Sequence, residues 1–210
     1  MEVLFIMKKG MILIVAVLGC FFATMVHAAL FTENFESDLS QWTGKGEGSH
    51  HGAIVEDPLN SDNHVLHFTG KVSGGDIFTV DDFSSPNGNF ILSFDYLGVN
   101  SSDSGGFIGY SYNLSPIGDE KWLAGTKGDE YNVIDLPDTG QWEHMEISFT
   151  AQDNIHLVLE EYWLSDQTVG NAYFDNITLS AVPVPPSVWL LVSGLAGVAG
   201  WRRWRFSIKS

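Results

Sequence analysis

Cysteine is all but missing: the one residue of its kind, Cys20, sits inside the first apolar run, so nothing between Leu30 and Ser180 can form a disulfide. Positive charge is nearly as scarce there. Of the 10 lysines and arginines, Lys8, Lys9, Arg202, Arg203, Arg205 and Lys209 lie near the two ends, which leaves Lys45, Lys71, Lys121 and Lys127 for the middle. All but one of the 26 acidic residues fall in that middle, so the formal charge of -16 understates its acidity. Such a surface repels phosphate backbones and anionic membranes, which argues against a nucleic-acid partner. The middle also lacks any stretch of 3.6-residue periodicity. No serine nucleophile elbow, phosphate loop or zinc-protease helix is present.

The ends are a different kind of sequence. Met7-Lys8-Lys9, the apolar run Gly10 to Val26, and Val26-His27-Ala28 follow the order of a signal peptide over residues 1–29. An uncleaved anchor is the alternative, and either way the middle is expected to cross the inner membrane. Val17-Leu18-Gly19-Cys20 departs from a lipoprotein box at the bulky Leu18.

Residues 181–210 carry a second address. The uncharged stretch Val188 to Trp201 would make a helix about 21 Å long at 1.5 Å per residue, against a hydrocarbon core of about 30 Å. Pro185 and Pro186 suit a first helical turn, and Trp189 and Trp201 suit the two membrane interfaces. Arg202, Arg203 and Arg205 should stay in the cytoplasm by the positive-inside rule. A lone C-terminal anchor or a buried apolar helix would explain these features too. Proline motif, short apolar segment and arginine cluster in that order resemble the PEP-CTERM sorting signal of exosortase-bearing Gram-negative bacteria. Pro183-Val184-Pro185 stands where Pro-Glu-Pro is usual, so Val184 departs from the pattern. The resemblance implies an exosortase as partner, transient anchoring in the inner membrane, and release to the cell surface or beyond.

Residues 30–180 read as one all-β domain, an antiparallel sandwich. Turn clusters such as Asn60-Ser61-Asp62-Asn63, Ser85-Pro86-Asn87-Gly88 and Pro137-Asp138-Thr139-Gly140 separate short β-rich runs. Phe90, Leu92, Phe94 and Tyr96 alternate with Ile91, Ser93 and Asp95, which predicts one buried face. Ile155, Leu157 and Leu159 repeat that pattern, and Trp42 and Trp142 are expected in the core. The opening Phe31-Thr32-Glu33-Asn34-Phe35-Glu36 with Leu39 and Trp42, and the closing Phe174-Asp175-Asn176-Ile177-Thr178-Leu179, resemble the galactose-binding-like jelly rolls of carbohydrate-binding modules.

That resemblance implies a structural Ca²⁺ shared by the first and last strands. Glu36 and Asp175 match its carboxylates, and Asp62 in the Asp57 to Asp62 loop is a further candidate, the ion needing 6–8 oxygens. Solvated or turn-capping charges are the plainer alternative. A glycan would need an exposed flat ring beside hydrogen-bonding groups; Tyr110, Tyr112, Trp122 and Trp163 are the candidates, although aromatic residues of a sandwich are as often core. His50, His51, His64 and His67 lack the spacing of a closed zinc set and read as surface residues. No catalytic residue is assigned. The expectation is a secreted, non-enzymatic sandwich that binds extracellular polysaccharide, or else a protein-binding or structural surface module.

Overall fold

A computed structural model describes residues 28–68, 76–99, 104–114, 119–126, 132–163 and 172–182. The expected signal peptide, the apolar C-terminal helix, and Pro183, Val184, Pro185, Arg202, Arg203 and Arg205 lie outside these residues. Within them the chain is a β-sandwich, as its alternating pattern requires. Its strands are β1 (Ala28–Glu33), β2 (Trp42–Gly44), β3 (Gly52–Asp57), β4 (Asn60–Phe68), β5 (Ile77–Thr79) and β6 (Asn89–Gly98). They continue as β7 (Ser104–Ser111), β8 (Lys121–Gly125), β9 (Ile134–Asp135), β10 (Glu143–Thr150), β11 (His156–Trp163) and β12 (Ala172–Ala181).

Sheet I runs β10-β6-β12-β4-β3 with β1 also on β12, and sheet II runs β2-β5-β11-β7-β8-β9. All described pairs are antiparallel except β8 with β9. The opening and closing motifs meet in register, Phe31 opposite Leu179 and Glu33 opposite Ile177.

Period-two alternation decides which side chains enter the core. Phe90, Leu92, Phe94 and Tyr96 of β6 are at most 1% exposed, and Ile108, Leu157 and Leu159 face them from sheet II. Phe174 packs within 5.4 Å of the Tyr96 ring, centroid to centroid. A Cβ on Gly106 would sit 2.8 Å from the Phe174 ring, so that close approach of the sheets needs glycine.

β12 carries one extra residue between Asp175, opposite Asp95, and Thr178, opposite Ser93. Asn176 takes up this bulge at φ 49°, in the left-handed region that asparagine tolerates better than most residues. The bulge turns Asp175 into a protected spot, only 4% exposed although it belongs to the outer face.

Candidate functional site

The opening motif is held together by a carboxylate other than the one the resemblance singled out. Glu33, 6% exposed, accepts from the backbone N–H of Asn34 and Phe35 through Oε1. Its Oε2 accepts from Gln41 Nε2 and, at 3.0 Å, from Trp42 Nε1. Trp42 also meets Phe31 edge-on at 5.4 Å and is core, as expected. Glu36 is exposed and is spent on His64: Oε1 accepts the His64 backbone N–H at 3.1 Å and Oε2 lies 3.2 Å from Nδ1. The backbone bond from His64, ahead of the side-chain one, holds the Glu36 carboxyl below its usual range.

Asp175 accepts from Asn63 Nδ2 at 3.0 Å and from the Asn176 backbone N–H at 2.7 Å. Burial pushes its carboxyl up, and the charges of Asp95 and Glu36 add to that. Glu36 and Asp175 are therefore near enough to repel. Asp62 is exposed and takes part through its backbone N–H, which donates to Asn60 Oδ1. Among the described residues no three His, Cys, Asp or Glu side chains converge as a metal site. Within the protein Glu36 takes part in two hydrogen bonds and Asp175 accepts three.

The outer face of sheet I holds an unforeseen chain of contacts. His144 Nδ1 lies 2.6 Å from Asp95 Oδ1, and Asp95 Oδ2 accepts from Asn176 Nδ2 at 2.9 Å. Asn63 reaches both Asp175 and Asp57, and Asp57 Oδ2 accepts from Trp142 Nε1 at 3.0 Å. Trp142 was expected between the sheets, yet it sits just ahead of β10 with its indole on an outer-face carboxylate. His67, expected as a plain surface residue, stacks on Tyr173 at 4.5 Å.

The four aromatic candidates separate by position. Tyr110 points between the sheets: it is 8% exposed, stacks on Phe149 at 5.1 Å, and its hydroxyl is pushed up to about 12 by burial. It is core, and cannot serve as a surface platform. Tyr112 is exposed and meets Tyr110 edge-on at 5.6 Å. Trp122 is half-buried, its ring 5.5 Å from Phe107. The Trp163 side chain lies outside the described residues.

Trp122 alone of these lines a described cleft of about 420 Å³. The cleft opens where the edge strands of the two sheets approach, with Trp122 and Leu123 from β8, Ile134 from β9, and Ile147 and Ser148 from β10. Asn132 and Val133 complete it. Apolar Leu123, Val133, Ile134 and Ile147 offer a surface for C–H groups, while the Asn132 amide and the Ser148 hydroxyl can each donate and accept. Asn132 and Ser148 could not be found from the sequence, because neither the parallel β8–β9 pairing beside Asn132 nor the approach of β10, which carries Ser148, has a local signature.

A second polar group gathers beside β5. Lys45 follows β2 and Asp76 precedes β5, the two strands ending on the pair Gly44 and Ile77. Lys45 Nζ lies 3.9 Å from Asp76 Oδ2 and 3.5 Å from Glu120 Oε1. Asp76 Oδ1 and His50 Nδ1 are buried without a hydrogen-bond partner. His50 is thus half-buried instead of a surface residue, and burial lowers the pKa of its ring.

No family profile matches the chain, and no curated protein sequence does. Solved structures match it in fold. The tandem CBM22-1-CBM22-2 domain of Paenibacillus barcinonensis Xyn10C aligns with a TM-score of 0.52 and 15% identity over 74% of this chain and 50% of that one. The CBM22-1-GH10 modules of Clostridium thermocellum xylanase 10B, solved with xylohexaose, align at 0.50 and 16% over 74% of this chain and 29% of that one. The K3 cleaved adhesin domain of Lys-gingipain from Porphyromonas gingivalis w83 aligns at 0.50 and 11% over 73% and 99%. This chain spans half or less of the first two. At these identities the likeness is one of architecture, and the described residues have the β-sandwich fold found in carbohydrate-binding modules and in an adhesin domain.

Proposed function

We propose that the chain is an exported, non-enzymatic module that binds polysaccharide in the cleft beside Trp122. The observation that carries this reading is the cleft itself: a half-exposed indole, an apolar floor, and two groups that can exchange hydrogen bonds with sugar hydroxyls. Two of the fold neighbours contain carbohydrate-binding modules, one of them solved with xylohexaose, which makes a linear β-linked polysaccharide such as xylan the first ligand to try. Among the described residues the cleft lining includes no Asp or Glu. A glycoside hydrolase needs two carboxylates flanking the bond it cuts, and the reading as a binding cleft calls for none.

The test is retention on immobilised polysaccharides, followed by titration calorimetry with the best ligand. Trp122→Ala should weaken binding at least tenfold. Because Trp122 also packs on Phe107, Ser148→Arg serves as a second variant that fills the cleft from an exposed position. Full affinity in Ser148→Arg, or no retention of the native chain on any polysaccharide, overturns the reading.

Export by a signal peptide and sorting by an exosortase, with release into an extracellular matrix, belong to the same proposal and rest on the terminal sequences. The mass of the exported chain tests them, since retention of Arg202, Arg203 and Arg205 contradicts cleavage at Pro183-Val184-Pro185. A protein-binding role has one observation in its favour, Ile134, which is 44% exposed on the short edge strand β9. Ile134→Lys would abolish capture of a protein partner through that edge.

A further inference from the structure

Lys45, Asp76 and Glu120 form a group that the polysaccharide reading does not use. The last rung of the β2–β5 pair is Gly44 opposite Ile77; Lys45 opens the 3-10 turn Lys45–Glu47 that follows β2, and Asp76 is the residue just ahead of β5. Asp76 is 5% exposed, and its Oδ1 has no partner. Lys45 Nζ stands 3.9 Å from Asp76 Oδ2 and 3.5 Å from Glu120 Oε1, whose side chains are 6% and 11% exposed. A charge-assisted hydrogen bond would close to about 2.7–2.9 Å. The ammonium is instead held beside two buried carboxyl groups without a tight bond to either. Burial, opposed by the Lys45 charge and reinforced by that of Glu120, raises the Asp76 pKa. A carboxyl group in its acid form is more open to attack by an amine than a carboxylate is.

We propose that Lys45 and Asp76 condense into an intramolecular isopeptide bond, with Glu120 as the group that takes the lysine proton. Glu120 accepts one proton from the Lys45 ammonium, which frees the nitrogen lone pair. Nζ attacks Cγ of Asp76, and a C–N bond forms. The C–O bond to the carboxyl hydroxyl then breaks, and that oxygen departs as water with a second proton from nitrogen. The balance is that of an ammonium, a carboxylic acid and a carboxylate base giving an amide, one water and the protonated base, which returns its proton to solvent. No oxidant or external reactant enters. Fixing the two groups on adjacent strand ends supplies the effective concentration that such a condensation lacks in free solution. The 3.9 Å between Nζ and Oδ2 places the amine beside the carboxyl group that it attacks.

Intact mass of the purified full chain under denaturing conditions tests the bond. The native protein should be lighter by one water than its processed sequence. A tryptic map should show no cleavage after Lys45, and a branched species should join the Lys45 and Asp76 peptides. Glu120→Gln, nearly isosteric, should restore the full mass with an unchanged circular dichroism spectrum. Lys45→Arg should restore it too. A native chain at full mass with Lys45 cleaved overturns the proposal. So does a water loss that persists in Lys45→Arg. Should Glu120→Gln fail to fold, the peptide map of the native chain decides alone.

Discussion

The Trp142 indole donates to Asp57 Oδ2 across 3.0 Å, and these two residues belong to opposite edges of one sheet, ahead of β10 and at the end of β3. Three strands lie between those edges. Sheet I must therefore curl until its rims meet over its outer face. Val65 and Leu97 fit that geometry: both alternate with inward-facing neighbours and stand outside the inter-sheet cluster, yet both are 0% exposed.

Trp142→Phe keeps a ring at this junction and removes the donor. Leaving the carboxylate short of one hydrogen bond costs about 1–3 kcal/mol. Urea unfolding should show that loss as a lower midpoint at unchanged slope, while polysaccharide affinity at the Trp122 cleft stays as it was. A variant as stable as the native chain would mean that the sheet edges are held by other contacts.

Local pattern made the strands legible, and long-range geometry hid the rest. Phe90 to Tyr96 announced the buried face because alternation is a property of one strand. The Phe31–Leu179 pairing was readable because both ends carry recognisable strings. Trp142 was misplaced because an indole beside a strand reads as core unless the curl of the whole sheet is known. Tyr110 was left open between core and surface for a different reason. In Phe107-Ile108-Gly109-Tyr110-Ser111-Tyr112 both parities are aromatic or apolar, so the alternation rule gives no answer. Lys45 had a signal that went unused: a lysine that is one of four in so acidic a domain has carboxylates to meet wherever it folds.

Tyr110 and Trp122 should separate cleanly in mutagenesis. Tyr110→Ala empties a stacked position against Phe149 and should cost about 3–5 kcal/mol of stability, the range for removing a buried aromatic ring. Tyr110→Phe should cost less than about 1 kcal/mol, because its hydroxyl reaches Thr150 O only at 3.5 Å. Trp122→Ala should register chiefly in binding. Thermal melts and calorimetry on the same samples read both effects.

Calcium is best judged by a melt with and without chelator. Both oxygens of Asp175 and both of Glu36 take part in hydrogen bonds, and among the described residues no three acidic or histidine side chains converge as a metal site. This arrangement predicts an unchanged midpoint. A fall on chelation, absent in Asp175→Asn, would show instead that an ion gathers its remaining oxygens from backbone and water.

The same two carboxylates should give stability opposite dependences on pH. Asp175 is raised above its ordinary 3.8 chiefly by burial. The folded state then holds the proton more tightly than the unfolded one, so its contribution declines as pH rises from 3.8 through the higher native value. Glu36 is lowered from 4.5, first by the His64 backbone N–H, so its contribution is present above 4.5 and is lost as pH falls through the lower native value. Urea unfolding between pH 3 and 7, about the span of both titrations, should therefore separate the variants. The stability of Asp175→Asn relative to the native chain should improve as pH rises. Glu36→Gln should grow relatively less stable over the acid end and then run parallel. His64 enters the second case, since its ring stands 3.2 Å from Glu36 Oε2. His64→Ala keeps the backbone donor, so most of the Glu36 dependence should survive it. Loss of the whole dependence in that variant would move the cause from the backbone N–H to the imidazole.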